Sequence, residues 1–170
     1  GIDISQIDPA DLRKKISYVP QDIHLFRNTI KNNILGSYKF VDDEWMIKCS
    51  KISGTDEFVK LHPVGYDMPI GERGAGLSGG QRQSVGIARA LINDSKIYLF
   101  DEPTNAMDQT SESNVLNNLK ENLEEKTLFL VTQKMNMLDL VTRVIVMNQG
   151  EKVLDGDKME IIKKLGVNNG

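Results

Sequence analysis

Residues 77–108, LSGGQRQSVGIARALINDSKIYLFDEPTNAMD, run from a glycine turn through a helix-forming segment into a short apolar run that ends on paired acids. Ser78 with Gln81 after it is the capping-box pattern, in which each side chain satisfies a backbone amide left open by the first helical turn. A helix beginning there points unpaired N–H groups and the positive end of its dipole outward, and Gly79 and Gly80 let an anion come close to the backbone. Val85, Ala88, Leu91 and Ile92 supply the inward face of this helix, Arg82 and Gln83 fall on its first turn, near any bound anion, and Arg89 is expected to make a structural ion pair. Beyond the helix, Ile97, Tyr98, Leu99 and Phe100 read as a buried strand with Asp101 and Glu102 just past its carboxyl end. Open α/β sheets place their chemistry at that end.

Outward from this stretch the pattern stays α/β. Upstream, Pro9 and Leu12 belong to a short helical turn, and residues 16–20 form a strand stopped by Pro20, which cannot donate to a ladder. Gln21 comes next. Helices are expected over residues 29–35, with Ile30 and Ile34 on one face, and over 42–51, with Val41, Trp45, Cys49 and Ile52 as an apolar stripe. Thr55 caps a shorter helix carrying Phe58 and Val59. Downstream, residues 111–123 read as a helix with Val115, Leu116, Leu119 and Leu123 on one side. Residues 127–132 are a near-continuous apolar run of the kind found in a parallel strand covered on both faces, and Gln133 follows. Val144 to Met147 and Lys152 to Leu154 form a hairpin around Asn148, Gln149 and Gly150, and a helix closes the chain over 157–165.

Composition narrows the classes. The 170 residues suffice for one domain with its own core. With 39% hydrophobic and 26% charged residues and a net charge of -3, the chain has neither the basic excess of a nucleic-acid binder nor the polarity of a disordered segment. Its single cysteine, Cys49, excludes an internal disulfide and a cysteine-based zinc site, and His62 has no second histidine at ligand spacing. No apolar run approaches the roughly 20 residues that span a bilayer, so direct membrane insertion is not expected. Gly74, Gly76 and Gly79 satisfy G-x-G-x-x-G, but no strand is expected before them and no βαβ unit around them, so a dinucleotide-binding reading lacks its context.

Several of these motifs carry a family resemblance. Residues 77–81 are similar to the LSGGQ signature of ATP-binding cassette (ABC) ATPases, residues 97–102 to their Walker B strand with its following glutamate, and residues 105–108 to the loop that faces a second subunit. Gln21, in YVPQD, resembles the Q-loop glutamine. The GERG run at 71–74 and the opening DPADLRKKISYVPQD resemble exporter domains, particularly type I secretion ATPases, and the resemblance covers nearly the whole chain.

The resemblance implies a P-loop NTPase-like parallel sheet core, incomplete here, with a helical subdomain over about residues 28–95 that includes the signature helix. The remainder would be RecA-like core, hairpin and terminal helix. It implies ATP and Mg2+ as cofactors, held between two such domains arranged head to tail, and a transmembrane domain as the other partner at the cytoplasmic face. Leu77, Ser78, Gly79, Gly80, Gln81 and Asp108 would face the nucleotide across that dimer. Asp101 would hold Mg2+ through water, Glu102 would orient or deprotonate the attacking water, and Gln21 would reach both metal and water. Gln133 stands where the family usually has histidine, a departure that exchanges a chargeable N–H donor for a neutral amide. GERG would touch the membrane domain.

A Walker A loop needs G-x-x-x-x-G-K-[ST], and this chain contains no Gly-Lys dipeptide. GIDISQID resembles the segment after the Walker A helix, so an amino-terminally truncated domain is expected, inactive alone and with two strand edges unpaired. The alternative is a soluble, non-transport ABC-type ATPase acting on DNA ends or ribosomes, or a signature-bearing interaction module. Neither a coiled-coil insertion nor a basic stripe favours it.

Overall fold

The computed structural model describes residues 2–38 and 40–166. In chain order the elements are α1 (Pro9–Arg13), β1 (Ile16–Val19), β2 (Asn28–Thr29), α2 (Ile30–Leu35), α3 (Asp43–Ile52), α4 (Thr55–Val59) and β3 (Pro69–Ile70). There follow α5 (Gly79–Leu91), β4 (Ile97–Asp101), α6 (Gln109–Asn122), β5 (Thr127–Val131), β6 (Arg143–Asn148), β7 (Glu151–Asp157) and α7 (Lys158–Lys164). They form two compact units, Gly1–Val131 and Thr132–Gly170.

The first unit is mixed α/β around a parallel sheet of order β1-β4-β5. Ser17, Tyr98 and Leu128 stand in register, as do Val19, Phe100 and Leu130. Parallel strands in register send these side chains to one face. On that face Ser17, Val19, Tyr98 and Phe100 are buried, and the rings of Tyr98 and Phe100 meet edge to face at 5.8 Å. Beside β1 lies α5, whose Val85, Ile87 and Ala88 are fully buried. A valine or isoleucine so placed contributes about 1.5–3 kcal/mol.

The opposite face behaves differently. Tyr18, Phe129 and Val131 are 57%, 59% and 61% exposed, and Ile16, Ile97 and Leu99 beside them are half-buried. The expectation that residues 127–132 form a strand covered on both faces is therefore corrected. β5 is the last strand of this sheet, with Thr127, Phe129 and Val131 exposed on one face and Leu128 and Leu130 half-buried on the other; an apolar run reports that both faces suit burial, not that both are covered.

The helices around α5 are tied by side chains as well as by packing. The Trp45 indole donates to the Ile92 carbonyl at 3.1 Å, joining α3 to the end of α5. Cys49 is wholly buried, and burial pushes its thiol up to about 12, which leaves it a packing residue. Arg89, read from the sequence as an ion-pair former, instead donates to the Asn33 carbonyl at 2.7 Å, the His24 carbonyl at 3.0 Å and Asn33 Oδ1 at 3.2 Å. Its guanidinium also lies 5.7 Å from the Phe26 ring centre. Open carbonyls at the end of α2 offered it the acceptors that a carboxylate was expected to supply. Thr55 does not cap α4: Gly54, at φ 78°, holds that position, and the Thr55 hydroxyl is buried against Ser53 Oγ at 2.8 Å. Short β2 and β3 pair antiparallel, so a strand does precede the glycine triplet, but no βαβ unit does.

In the second unit β6 and β7 pair antiparallel around Gln149 and Gly150. Both turn residues have positive φ, 48° and 83°, as a type I′ hairpin requires. Arg143 donates twice to the Asp155 carboxylate, at 2.9 and 3.0 Å. That bidentate pair, with Lys152 beside it, lowers the carboxyl to about 2. Asp157 caps α7 by accepting from the Met159 amide.

Candidate functional site

The start of α5 is built as its residues dictate. Ser78 is extended, its Oγ accepts from the Gln81 amide at 3.1 Å, and Gln81 Oε1 accepts from the Ser78 amide at 2.9 Å, a complete capping box. Buried Leu77 anchors the turn, and Arg82 donates to its carbonyl at 2.8 Å. Ser78 itself is exposed. The amides of Gly79 and Gly80, at the first helical positions, have no acceptor within the helix and point along its axis.

The glycines also serve an approach that the sequence did not reveal. A Cβ on Gly79 would stand 2.9 Å from Ala106 Cβ, and one on Gly80 would stand 3.0 Å from the Ala106 carbonyl oxygen and 3.2 Å from Met107 Cα. The side where a side chain would project is filled by the loop after β4. Helix start and acidic loop are in van der Waals contact.

That loop begins at Asp101, half-buried at the end of β4, and Glu102, 9% exposed. Glu102 has φ 46°, a left-handed backbone that costs a non-glycine residue about 1–2 kcal/mol. Neighbours hold it there. Its amide donates to the Val131 carbonyl at 2.9 Å, and its carbonyl accepts from the Asn105 amide and from Gln83 Nε2, each at 3.3 Å. Gln83 Oε1 in turn accepts from the Ala106 amide at 2.7 Å. The expectation that Gln83 lies near a bound anion is thus corrected: the side chain is buried and both ends of its amide bind the acidic loop. Deeper still, Thr104 Oγ1 donates to Glu112 Oε1 at 3.0 Å.

Asp108 closes the loop as the N-cap of α6, accepting from the amides of Thr110 and Ser111, both at 3.0 Å, and from Ser111 Oγ at 2.7 Å. The bonds from Ser111 above all hold its carboxyl below the usual range. A cavity of about 330 Å³ lies along Ser78, Gly80, Gln81, Phe58, Asp108 and Ser111. Gln21, exposed, follows β1 as Asp101 follows Phe100 on β4; because Val19 and Phe100 are in register, both stand at the same end of the sheet. Gln133 follows β5 in sequence, is exposed, and belongs to the second unit.

The geometry suits two kinds of chemistry. A capped helix start with two axial amides and an exposed hydroxyl fits an oxyanion. Carboxylates at a sheet end fit a divalent cation or a polarised water. Among the described residues no cluster of three or more His, Cys, Asp or Glu is placed to hold a metal ion. One or two carboxylates, as Asp101 and Glu102 offer, would suit Mg2+, which keeps waters and substrate phosphates as most of its ligands. Of the residues singled out in the sequence, Leu77, Ser78, Gly79, Gly80, Gln81 and Asp108 meet along one helix start and loop, and Asp101, Glu102 and Gln21 along one sheet end. The bracing contact of Gln83 with the acidic loop was not foreseen; it shares a helical face with Ile87 and Ala90, and a polar residue on a buried face was the available signal.

Comparison with known proteins decides the family. The family model described as ABC transporter matches residues 1–105. The chain belongs to the ABC transporter family. The chain is 38% identical over 170 residues to the leukotoxin translocation ATP-binding protein LktB of Pasteurella haemolytica-like sp. (strain 5943B), covering 100% of this chain and 24% of that protein. To the leukotoxin export ATP-binding protein LtxB of Aggregatibacter actinomycetemcomitans it is 36% identical over 163 residues, 96% of this chain and 23% of that one. The chain thus spans about a quarter of the length of these ABC relatives. Among solved structures it is similar to a bacterial Atm1-family ABC exporter with ATP bound, at a TM-score of 0.90 and 30% identity over 96% of this chain and 29% of that one. The fold is that of a P-loop NTPase-like α/β domain. No helix of the described residues is long and apolar enough to cross a membrane.

Proposed function

We propose that these residues are the greater part of the ATP-hydrolysing motor of an ABC exporter of the type I secretion kind, with a protein or peptide as cargo. The observation that carries this reading is the joining, in one unit, of an exposed capped helix start to an acidic strand end. The names of the leukotoxin transporters support the cargo class.

In this reading residues 28–95 are the helical subdomain and the rest is core, hairpin and terminal helix. Two such domains face head to tail at the cytoplasmic face of the membrane, each served by a transmembrane domain. Ser78, Gly79, Gly80 and Gln81 offer a hydroxyl and amides to the γ-phosphate of ATP held mainly by the other domain, with Leu77 anchoring the turn and Asp108 beside the dimer seam. Asp101 would hold Mg2+ through water, and the ion would supply positive charge against the phosphates. Glu102 orients or deprotonates the attacking water, and Gln21 would offer a polar contact to the same water and metal. Phosphoryl transfer depends chiefly on such positioning and charge stabilisation. The lysine that grips the triphosphate comes from outside these residues, which contain no Gly-Lys dipeptide; alone they are inactive.

The test is Ser78→Arg in the complete transporter reconstituted in lipid vesicles. A bulky side chain at the helix start removes the cap and blocks its amides, so Mg2+-dependent ATP turnover falls about tenfold or more, with nucleotide binding retained. Unchanged turnover overturns the reading. Gln133 is a weaker γ-phosphate donor than histidine because its amide stays neutral. Gln133→His accordingly raises steady-state turnover by about twofold or more, and equal or lower turnover counts against that role.

A further inference from the structure

In the proposed reading the start of α5 and Glu102 serve different nucleotides of a head-to-tail pair, yet within this chain the helix and the acidic loop touch. Gln83 is the side chain that joins them. It is 5% exposed, on the turn after the capping box, and spans from α5 to the loop after β4. Its Nε2 donates to the Glu102 carbonyl at 3.3 Å and its Oε1 accepts from the Ala106 amide at 2.7 Å. The Ala106 N–H is a donor only, which orients the amide group and leaves the other end to donate to Glu102. Gly79 and Gly80 close the same seam against Ala106 and Met107.

We infer that Gln83 is a positioning residue that holds the left-handed backbone of Glu102 and links it to the signature helix, so that closure of the helix on one nucleotide sets the carboxylate that acts on the other. This rests on the reading of Glu102 as the residue that orients the attacking water. The physical reason is local. Glu102 sits at φ 46°, where an L-residue stays only if its surroundings hold it, and one of the groups holding its carbonyl is the Gln83 amide. Moving α5 by a fraction of an ångström moves both ends of that amide together. Leucine at position 83 fills similar space and makes neither bond.

The experiment uses the complete transporter in lipid vesicles and compares Gln83→Leu, Gln83→Glu, Glu102→Gln and the double variant Gln83→Leu/Glu102→Gln. Gln83→Leu is expected to lower kcat about tenfold or more with KM for ATP within about twofold, because binding contacts stay and orientation is lost. Gln83→Glu keeps the acceptor for the Ala106 amide and loses the donor to the Glu102 carbonyl, so it falls with the leucine variant even though it retains the loop contact. In the double variant the Gln83→Leu change has no further effect on kcat, since the group it positions is gone. A purely structural role would instead lower the thermal midpoint and raise KM, and would persist in the Glu102→Gln background. That pattern, or a kcat for Gln83→Leu equal to the parent's, overturns the inference. If Glu102→Gln itself leaves kcat unchanged, the catalytic reading of Glu102 fails, a result distinct from a Gln83 variant that is silent while Glu102→Gln is not.

Discussion

Glu102→Gln in the complete transporter lowers ATP turnover by about a hundredfold or more while ATP still binds. Glutamine matches glutamate in shape, and the backbone bonds that hold this position, from the Glu102 amide to the Val131 carbonyl and from Gln83 to the Glu102 carbonyl, do not involve the carboxylate. The substitution therefore removes the capacity to accept a proton and leaves the left-handed turn at φ 46° in place. Nucleotide affinity, measured by equilibrium binding of a fluorescent ATP analogue, stays within about threefold because only the transition state loses a partner. Turnover within about twofold of the parent assigns the water to some other base and removes Glu102 from the mechanism.

The isolated 170-residue chain associates as its concentration rises. Among the described residues β5 is the last strand of the first unit's sheet, and β6 and β7 pair with each other. On β5 Phe129 and Val131 are each more than half exposed, and Leu99 on β4 and exposed Tyr18 on β1 continue the apolar row across the same face. An open parallel edge offers backbone N–H and C=O groups to another strand, and apolar side chains on the same strand make the pairing favourable. Light scattering across a hundredfold dilution series, about micromolar to tenth-millimolar, reads an average mass that climbs at least about twofold. Phe129→Lys with Val131→Lys places charge on that edge and suppresses the climb. A mass that stays at the monomer value throughout, or a double-lysine variant that associates as strongly as the parent, removes the edge as the cause.

Much of this domain could be read before any coordinates. The capping box at Ser78 and Gln81, the β4 strand with its acids, the apolar faces of α5 and α6, and the hairpin all follow from rules that act within a few residues. Other features needed distant partners. Arg89 pointed to a charge and found the carbonyls of Asn33 and His24, 56 and 65 residues away. Gln83 looked like part of an anion cradle and is a brace to residues 19 and 23 positions downstream. Gly79 and Gly80 suited an approaching anion, and the chain's own loop also needs them small.

What the sequence determined by itself is the kind of element at each point and the chemical groups at each end. Helix caps, strand runs and turn residues are decided by backbone sterics and near neighbours, and the order of motifs suffices to name the family. Only the tertiary structure decided which face of β5 is covered, which partner takes a buried polar side chain, and that the helix start and the acidic loop form a single seam. Those outcomes depend on what lies across the core. A buried amide or guanidinium must bond to whichever group folding brings within about 3 Å, and separation along the chain does not record that distance.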